Sequence, residues 1–167
     1  MEDKTIEKVD FSIEELETNY YECTFDKCNF SDKPIGRVIF EKCTFKECNL
    51  SLVKNSNTSW LDVLFTDCKM TGINFSLSNR FGLSVEFHNC LLSYALFTEM
   101  KLKGTRFIGC DLQNTDFMET DLSNAVFKDC DLCYASFHHT NLEKADFTTA
   151  RNYASVSYTH LTLPTIR

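Results

Sequence analysis

An all-β solenoid of four-sided coils is the fold class this sequence predicts, and three periodicities predict it. A large apolar residue, usually Phe or Leu, returns at every fifth position, most cleanly at Phe97, Leu102, Phe107, Leu112, Phe117, Leu122, Phe127, Leu132, Phe137, Leu142 and Phe147. Five residues advance about 500° on an α-helix, which would scatter these side chains over every face. On a flat strand an odd spacing throws successive residues to opposite sides. The cysteines supply the second period: Cys28, Cys48 and Cys68 are 20 apart, as are Cys90, Cys110 and Cys130. The third comes from phenylalanine, with Phe25, Phe45, Phe65, Phe87, Phe107, Phe127 and Phe147 in one column and Phe75, Phe97, Phe117 and Phe137 in another. Four pentapeptides therefore close one coil, and coils stack at the interstrand distance of about 4.8 Å.

Composition narrows the function classes. The chain has 167 residues, enough for one ordinary domain, with 24 acidic against 17 basic side chains and a net charge of −7. Direct nucleic-acid binding is excluded, because a phosphate backbone needs a basic footprint. The charged start, Met1-Glu2-Asp3-Lys4, has no apolar run behind it, and no stretch approaches the roughly 18 apolar residues of a membrane helix. A cytoplasmic protein is expected.

The elements follow in order. Residues 1–19 lie outside the main phase, although Ile6, Phe11 and Leu16 are five apart, and are expected to cap the first coil. Ser12-Ile13-Glu14-Glu15 reads as a capping box opening a helical turn. Residues 20–154 are the coils. Their centres start at Tyr20, Phe25, Phe30, Ile35, Phe40, Phe45 and Leu50, miss once at Asn55, and resume at Trp60, Phe65, Met70 and Phe75. A phase break follows at 76–86, where two extra residues stretch the Cys68–Cys90 step to 22. It reads as a bulge at a corner, or as a functional loop with Asn79, Arg80 and Phe81 at its tip. The second block then runs from Phe87 to Phe147.

Two residues before each centre sits a small side chain, such as Ala95, Thr105, Cys110, Thr115 or Ala125, and Asp or Asn often fills the position between. Eight cysteines obey this register: Cys23, Cys28, Cys43, Cys48, Cys68, Cys90, Cys110 and Cys130. The first four superficially space like a zinc site, but the repeat continues through the rest, so core-filling thiols are expected and no metal or cofactor. Cys133 alone falls outside. His88, His138, His139 and His160 show no ligand or triad spacing, and no phosphate-binding or nucleophile motif occurs. An enzyme is not expected, since a side-chain-filled interior leaves no pocket.

The tandem motif over about residues 20–152 resembles the pentapeptide-repeat proteins. That resemblance implies a right-handed quadrilateral parallel β-helix, here of about six to seven coils. Within the family, the acidic chain, the single main phase break and the cysteine-rich small positions are similar to the Qnr-type quinolone-resistance proteins. Those imitate duplex DNA and bind type II topoisomerases, which implies DNA gyrase or topoisomerase IV as partner. They form homodimers through a C-terminal segment. Here residues 155–167 break the pattern and resemble translated sequencing-adapter read-through, so they are expected to be non-native.

Charge density agrees with mimicry in one part of the rod. Residues 105–150 hold eight acids (Asp111, Asp116, Glu119, Asp121, Asp129, Asp131, Glu143, Asp146) against three bases (Arg106, Lys128, Lys144). Over roughly 11 Å of rod this is about one net charge per 2 Å. Duplex DNA carries one per roughly 1.7 Å, whereas the whole rod carries about one per 4 Å. Asp111, Asp116, Asp121, Asp131 and Asp146 are the candidate partner-binding residues. The alternative is a generic interaction scaffold, in which Asp and Asn before the centres serve the corner backbone.

Overall fold

The computed structural model describes residues 1–153, and within them the chain is a parallel β-solenoid. The expectation for 155–167, and the last residue of the coil block, lie outside the described residues. Ten short strands are regular: β1 (Thr5–Glu7), β2 (Asn19–Tyr21), β3 (Thr24–Asp26), β4 (Ile39–Glu41), β5 (Thr44–Lys46), β6 (Ser59–Leu61), β7 (Val63–Thr66), β8 (Val85–His88), β9 (Arg106–Ile108) and β10 (Val126–Lys128). They pair in parallel as β1-β3-β5-β7-β8-β9-β10 and as β2-β4-β6, and single bridges complete the other rungs. A one-turn 3-10 segment, Phe75–Leu77, leads into the phase break.

Four columns of paired residues define four sides. The first runs through Thr24, Thr44, Leu64, Glu86, Arg106, Val126 and Asp146. The second runs through Asp10, Asn29, Asn49, Lys69, Leu91, Asp111, Asp131 and Arg151. Leu96, Asp116 and Ser136 mark the third, and Lys101, Asp121 and Asn141 the fourth. The ladder steps by 20, as in Phe25 opposite Phe45, and by 22 across the break, as in Lys69 opposite Leu91.

Residues 1–19 cover the coil beginning at Tyr20, and they do so as a coil of their own, offset by 19: Ile6 lies over Phe25 and Asp10 over Asn29. Phe11 stacks on Phe30 at 4.7 Å. The helical turn expected at Ser12 does not develop. Asp10, rather than Ser12, is the capping residue: its side chain accepts from Ser12 N–H at 3.0 Å, and its carbonyl accepts from Glu14 N–H at 3.0 Å.

The interior is two aromatic columns at right angles. Phe107 lies parallel to Phe87 at 5.2 Å and to Phe127 at 5.0 Å, while Phe97 and Phe117 meet it edge-on at 5.9 and 5.7 Å. These are the two favoured ring geometries, imposed by the coil spacing along the axis and by the corner across it. The small position has a second task that volume alone does not explain. Cys48, Cys68, Cys90, Cys110 and Cys130 each donate Sγ–H to the carbonyl of the centre one coil back, from Phe25 to Phe107, at 3.2–3.5 Å. Thr115 and Thr140 do the same to Leu92 and Phe117 at 3.0 and 2.7 Å. Cys and Thr are thus small side chains that also supply a donor inside the coil.

Cys23 and Cys28 belong to different corners, and no group of His, Cys, Asp or Glu among the described residues is arranged to hold a metal ion. Burial pushes the Cys43 thiol up to about 11, so it stays protonated and unreactive at neutral pH. With one equivalent of maleimide, the half-buried Cys133 is expected to be labelled in the folded protein and the eight buried thiols only after unfolding. Mass spectrometry of peptides after a timed pulse checks this, and rapid labelling of Cys90 or Cys110 would contradict the packing.

At the phase break two irregularities noted separately in the sequence become one. Asn55 occupies a centre position and is fully buried. Its Nδ2 donates to Ser78 Oγ at 2.9 Å, and Trp60 Nε1 donates to the same oxygen at 3.1 Å. The polar centre and the insertion therefore serve the indole N–H, the one polar atom that an all-Phe column would not bring inside. No centre follows Trp60 in its column until Leu102, because the chain leaves the coil at Arg80 and Leu83 packs back against the core.

Candidate partner-binding surface

The five candidate aspartates do not form one patch. Asp111 and Asp131 lie on the second side, Asp116 on the third, Asp121 on the fourth and Asp146 on the first. Each also closes its own turn: Oδ1 accepts from the backbone N–H two residues on, at Gln113, Met118, Ser123, Cys133 and Thr148, at 2.9–3.0 Å. The Ser123 backbone hydrogen bond, ahead of burial and the other contacts, holds the Asp121 carboxyl below its usual range. The Thr148 hydroxyl does the same for Asp146. For such depressed groups the contribution to stability is complete at neutral pH and fades as pH falls through the lowered value.

Adding the bases to the columns separates these residues. From Leu91 to Ala150 the bases are Lys101, Lys103, Arg106, Lys128 and Lys144. All five fall on the fourth side, the first side, or the corner between them. The second and third sides and their far corners carry Asp111, Asp116, Asp129, Asp131, Glu99 and Glu119 and no Lys or Arg over that stretch, although Lys128 adjoins Asp129 on the first side; His138 and His139 lie at its lower end. Arg80 reaches Glu99 at 3.7 Å, and Arg151 stands opposite Asp131 in the second column. The same sector exposes apolar side chains. Tyr94 and Tyr134 project from its middle corner at 62% and 68% exposure, flanked by Leu91, Leu96 and Met118. Exposed tyrosines are residues of the type enriched at protein interfaces. Asp111, Asp116 and Asp131 belong to this sector; Asp121, opposite Lys101, and Asp146, below Val126 on the first side, do not.

The expected loop tip is only partly a tip. Asn79 remains in the ladder, donating its N–H to Thr58 O at 2.9 Å and Nδ2 to Ser59 Oγ at 3.0 Å. Arg80, Phe81 and Gly82 project instead, with Phe81 87% exposed.

Among solved structures, a trypsin-treated form of QnrB1, a plasmid-mediated fluoroquinolone resistance protein, is 20% identical over 91% of this chain and 93% of its own, with a TM-score of 0.38. HetL, a pentapeptide repeat protein involved in heterocyst differentiation regulation in the cyanobacterium Nostoc, is 15% identical over 90% of this chain and 83% of its own, with a TM-score of 0.44. No curated protein sequence matches. The family model for the pentapeptide repeat region matches residues 18–97 and 100–167. With the match covering most of the sequence, and the described residues within it forming the four-sided coil, the chain belongs to the pentapeptide-repeat family.

Proposed function

We propose that this chain is a non-enzymatic, cytoplasmic binding module that presents its second and third sides to a positively charged protein surface. The partner in this reading is a type II topoisomerase, DNA gyrase or topoisomerase IV, engaged as duplex DNA would be and thereby protected from quinolones. The observation that carries it is the segregated charge: between Leu91 and Ala150 the second and third sides carry Asp111, Asp116, Glu119 and Asp131 and no Lys or Arg, the sector being bounded in its second column by Lys69 above Leu91 and Arg151 below Asp131. Charge density near that of DNA in the same half, and the resemblance of the repeat to the Qnr-type branch, point the same way. By that resemblance the working form is a homodimer joined at its C-terminal end.

A scaffold with some other partner is favoured by one specific observation, the turn-closing role of every candidate aspartate. One titration separates the two. Purified protein added to gyrase on fluorescent duplex DNA in low salt should displace the DNA at micromolar concentration. Full retention of DNA there removes the topoisomerase reading, and recovery of a single non-topoisomerase partner in a pull-down would establish the scaffold.

A further inference from the structure

The two-residue insertion leaves a cleft on the opposite side of the rod. In regular coils the fourth side is bonded without a gap: Asp121 N–H donates to Met100 O at 2.8 Å, and Asn141 N–H to Thr120 O at 3.0 Å. At the insertion the returning chain stays close to the coil before it, with Ser84 N–H donating to Trp60 O and Ser84 O accepting from Val63 N–H. Lys101 N–H consequently finds no acceptor among the described residues. Between the two coils opens a cleft of about 320 Å³, bordered by Asp62, Ser84 and Glu86 above and by Lys101, Lys103 and Arg106 below. Gly104 turns the corner at its floor with φ +72°, and a side chain there would meet nothing within 4 Å.

The charges around it are unequally committed. Arg106 Nε and His88 Nε2 both hold Glu86 Oε1, at 3.2 and 2.6 Å. Asp121, paired with Lys101 in the ladder, is occupied by Ser123 N–H and Asn141 Nδ2 at 3.0 and 3.1 Å. Lys101 and Lys103 make no hydrogen bond or ion pair among the described residues, and neither does Asp62. Lys101 and Lys103, the second of them at the turn before Gly104, therefore border the cleft with Asp62 on its far lip, and Lys103 is also attracted to Asp121.

We propose that this cleft binds a small phosphate-bearing molecule, with its phosphate oxygens on Lys101 and Lys103. Ammonium groups bind phosphate as point charges, and two of them suit a dianion better than a single carboxylate. The volume is at the small end for ligand sites, which limits the occupant to a phosphate and a few further atoms. Asp62 opposes any anion, so it sets the affinity without supplying a contact.

Inorganic pyrophosphate is the probe. In amide NMR of the whole chain, it should give saturable shifts confined to residues 83–86 and 101–106, with millimolar or tighter affinity. Lys101→Gln with Lys103→Gln should weaken binding about tenfold or more while leaving the melting curve unchanged, because both side chains are exposed. Asp62→Asn should tighten it. Shifts absent at tens of millimolar, shifts spread equally over Lys46, Lys69 and Lys128, or a double variant that binds as well as the parent would each overturn the site. None of these readings depends on the gyrase experiment.

Discussion

Trp60→Ala is expected to lower the unfolding free energy by about 3–5 kcal/mol, the range for removing a large aromatic side chain from a packed interior. Trp60 is fully buried, stacks on Phe40 at 5.0 Å, and meets Phe45 and Phe65 edge-on at 5.9 and 5.4 Å. The cavity could not close easily, because each coil is locked to its neighbours at the strand spacing and the centre below it is already missing. Removing the indole also takes away one of the two donors to Ser78 Oγ, leaving the Asn55 bond in place. Ser78→Ala isolates that second contribution. It leaves two buried donors without acceptors and should cost about 1–3 kcal/mol for each. Urea titration followed by far-UV circular dichroism measures both, since the only tryptophan is the residue removed. A loss below about 1 kcal/mol for Trp60→Ala would mean that the polar cluster, rather than ring stacking, holds this coil.

The fold was legible because a solenoid repeats its own evidence. Each centre states which way it faces, and six cysteines at one spacing state where the coil closes. The corners were less legible. Two residues after most centres the backbone enters the left-handed region, from Glu22 at φ 51° to Lys144 at 56°. The signal was present in Asn57, Asp67, Gly72, Asn89, Gly104, Asn114 and Asn124, residue types that tolerate this region. It was obscured by Lys42, Glu47, Tyr94 and Tyr134, which adopt the same conformation where the ladder on either side enforces it. The union of Asn55 with the insertion was not legible at all, because it depends on a side-chain contact across 23 residues. The candidate surface was half legible. Acid density can be counted along the chain, but which acids share a side with which bases emerges only when columns replace segments.

Converting Asp111, Asp116 and Asp131 together to Asn is expected to weaken partner binding about 10- to 100-fold at low salt and to flatten its salt dependence, with no loss of stability. The reason the fold should survive is already built into the second side. Asn29 and Asn49 stand above Asp111 and Asp131 in one column and close the same turn, accepting from Ser31 and Ser51 N–H at 3.1 Å. The turn needs an oxygen, and Asn supplies it as well as Asp does. Negative charge at these positions is therefore surplus to the coil, and its concentration in the C-terminal half calls for a cause outside it. The control is Asp121→Asn with Asp146→Asn, which removes charge from the sides that carry Lys101, Lys103, Arg106 and Lys128. It should have a several-fold smaller effect. Fluorescence anisotropy against gyrase across a salt series reads both variants. Equal losses would mean that total charge matters and the sector does not. Unchanged binding in the triple variant would shift the recognition to Tyr94 and Tyr134, whose exposed rings would then have to supply affinity that salt does not screen.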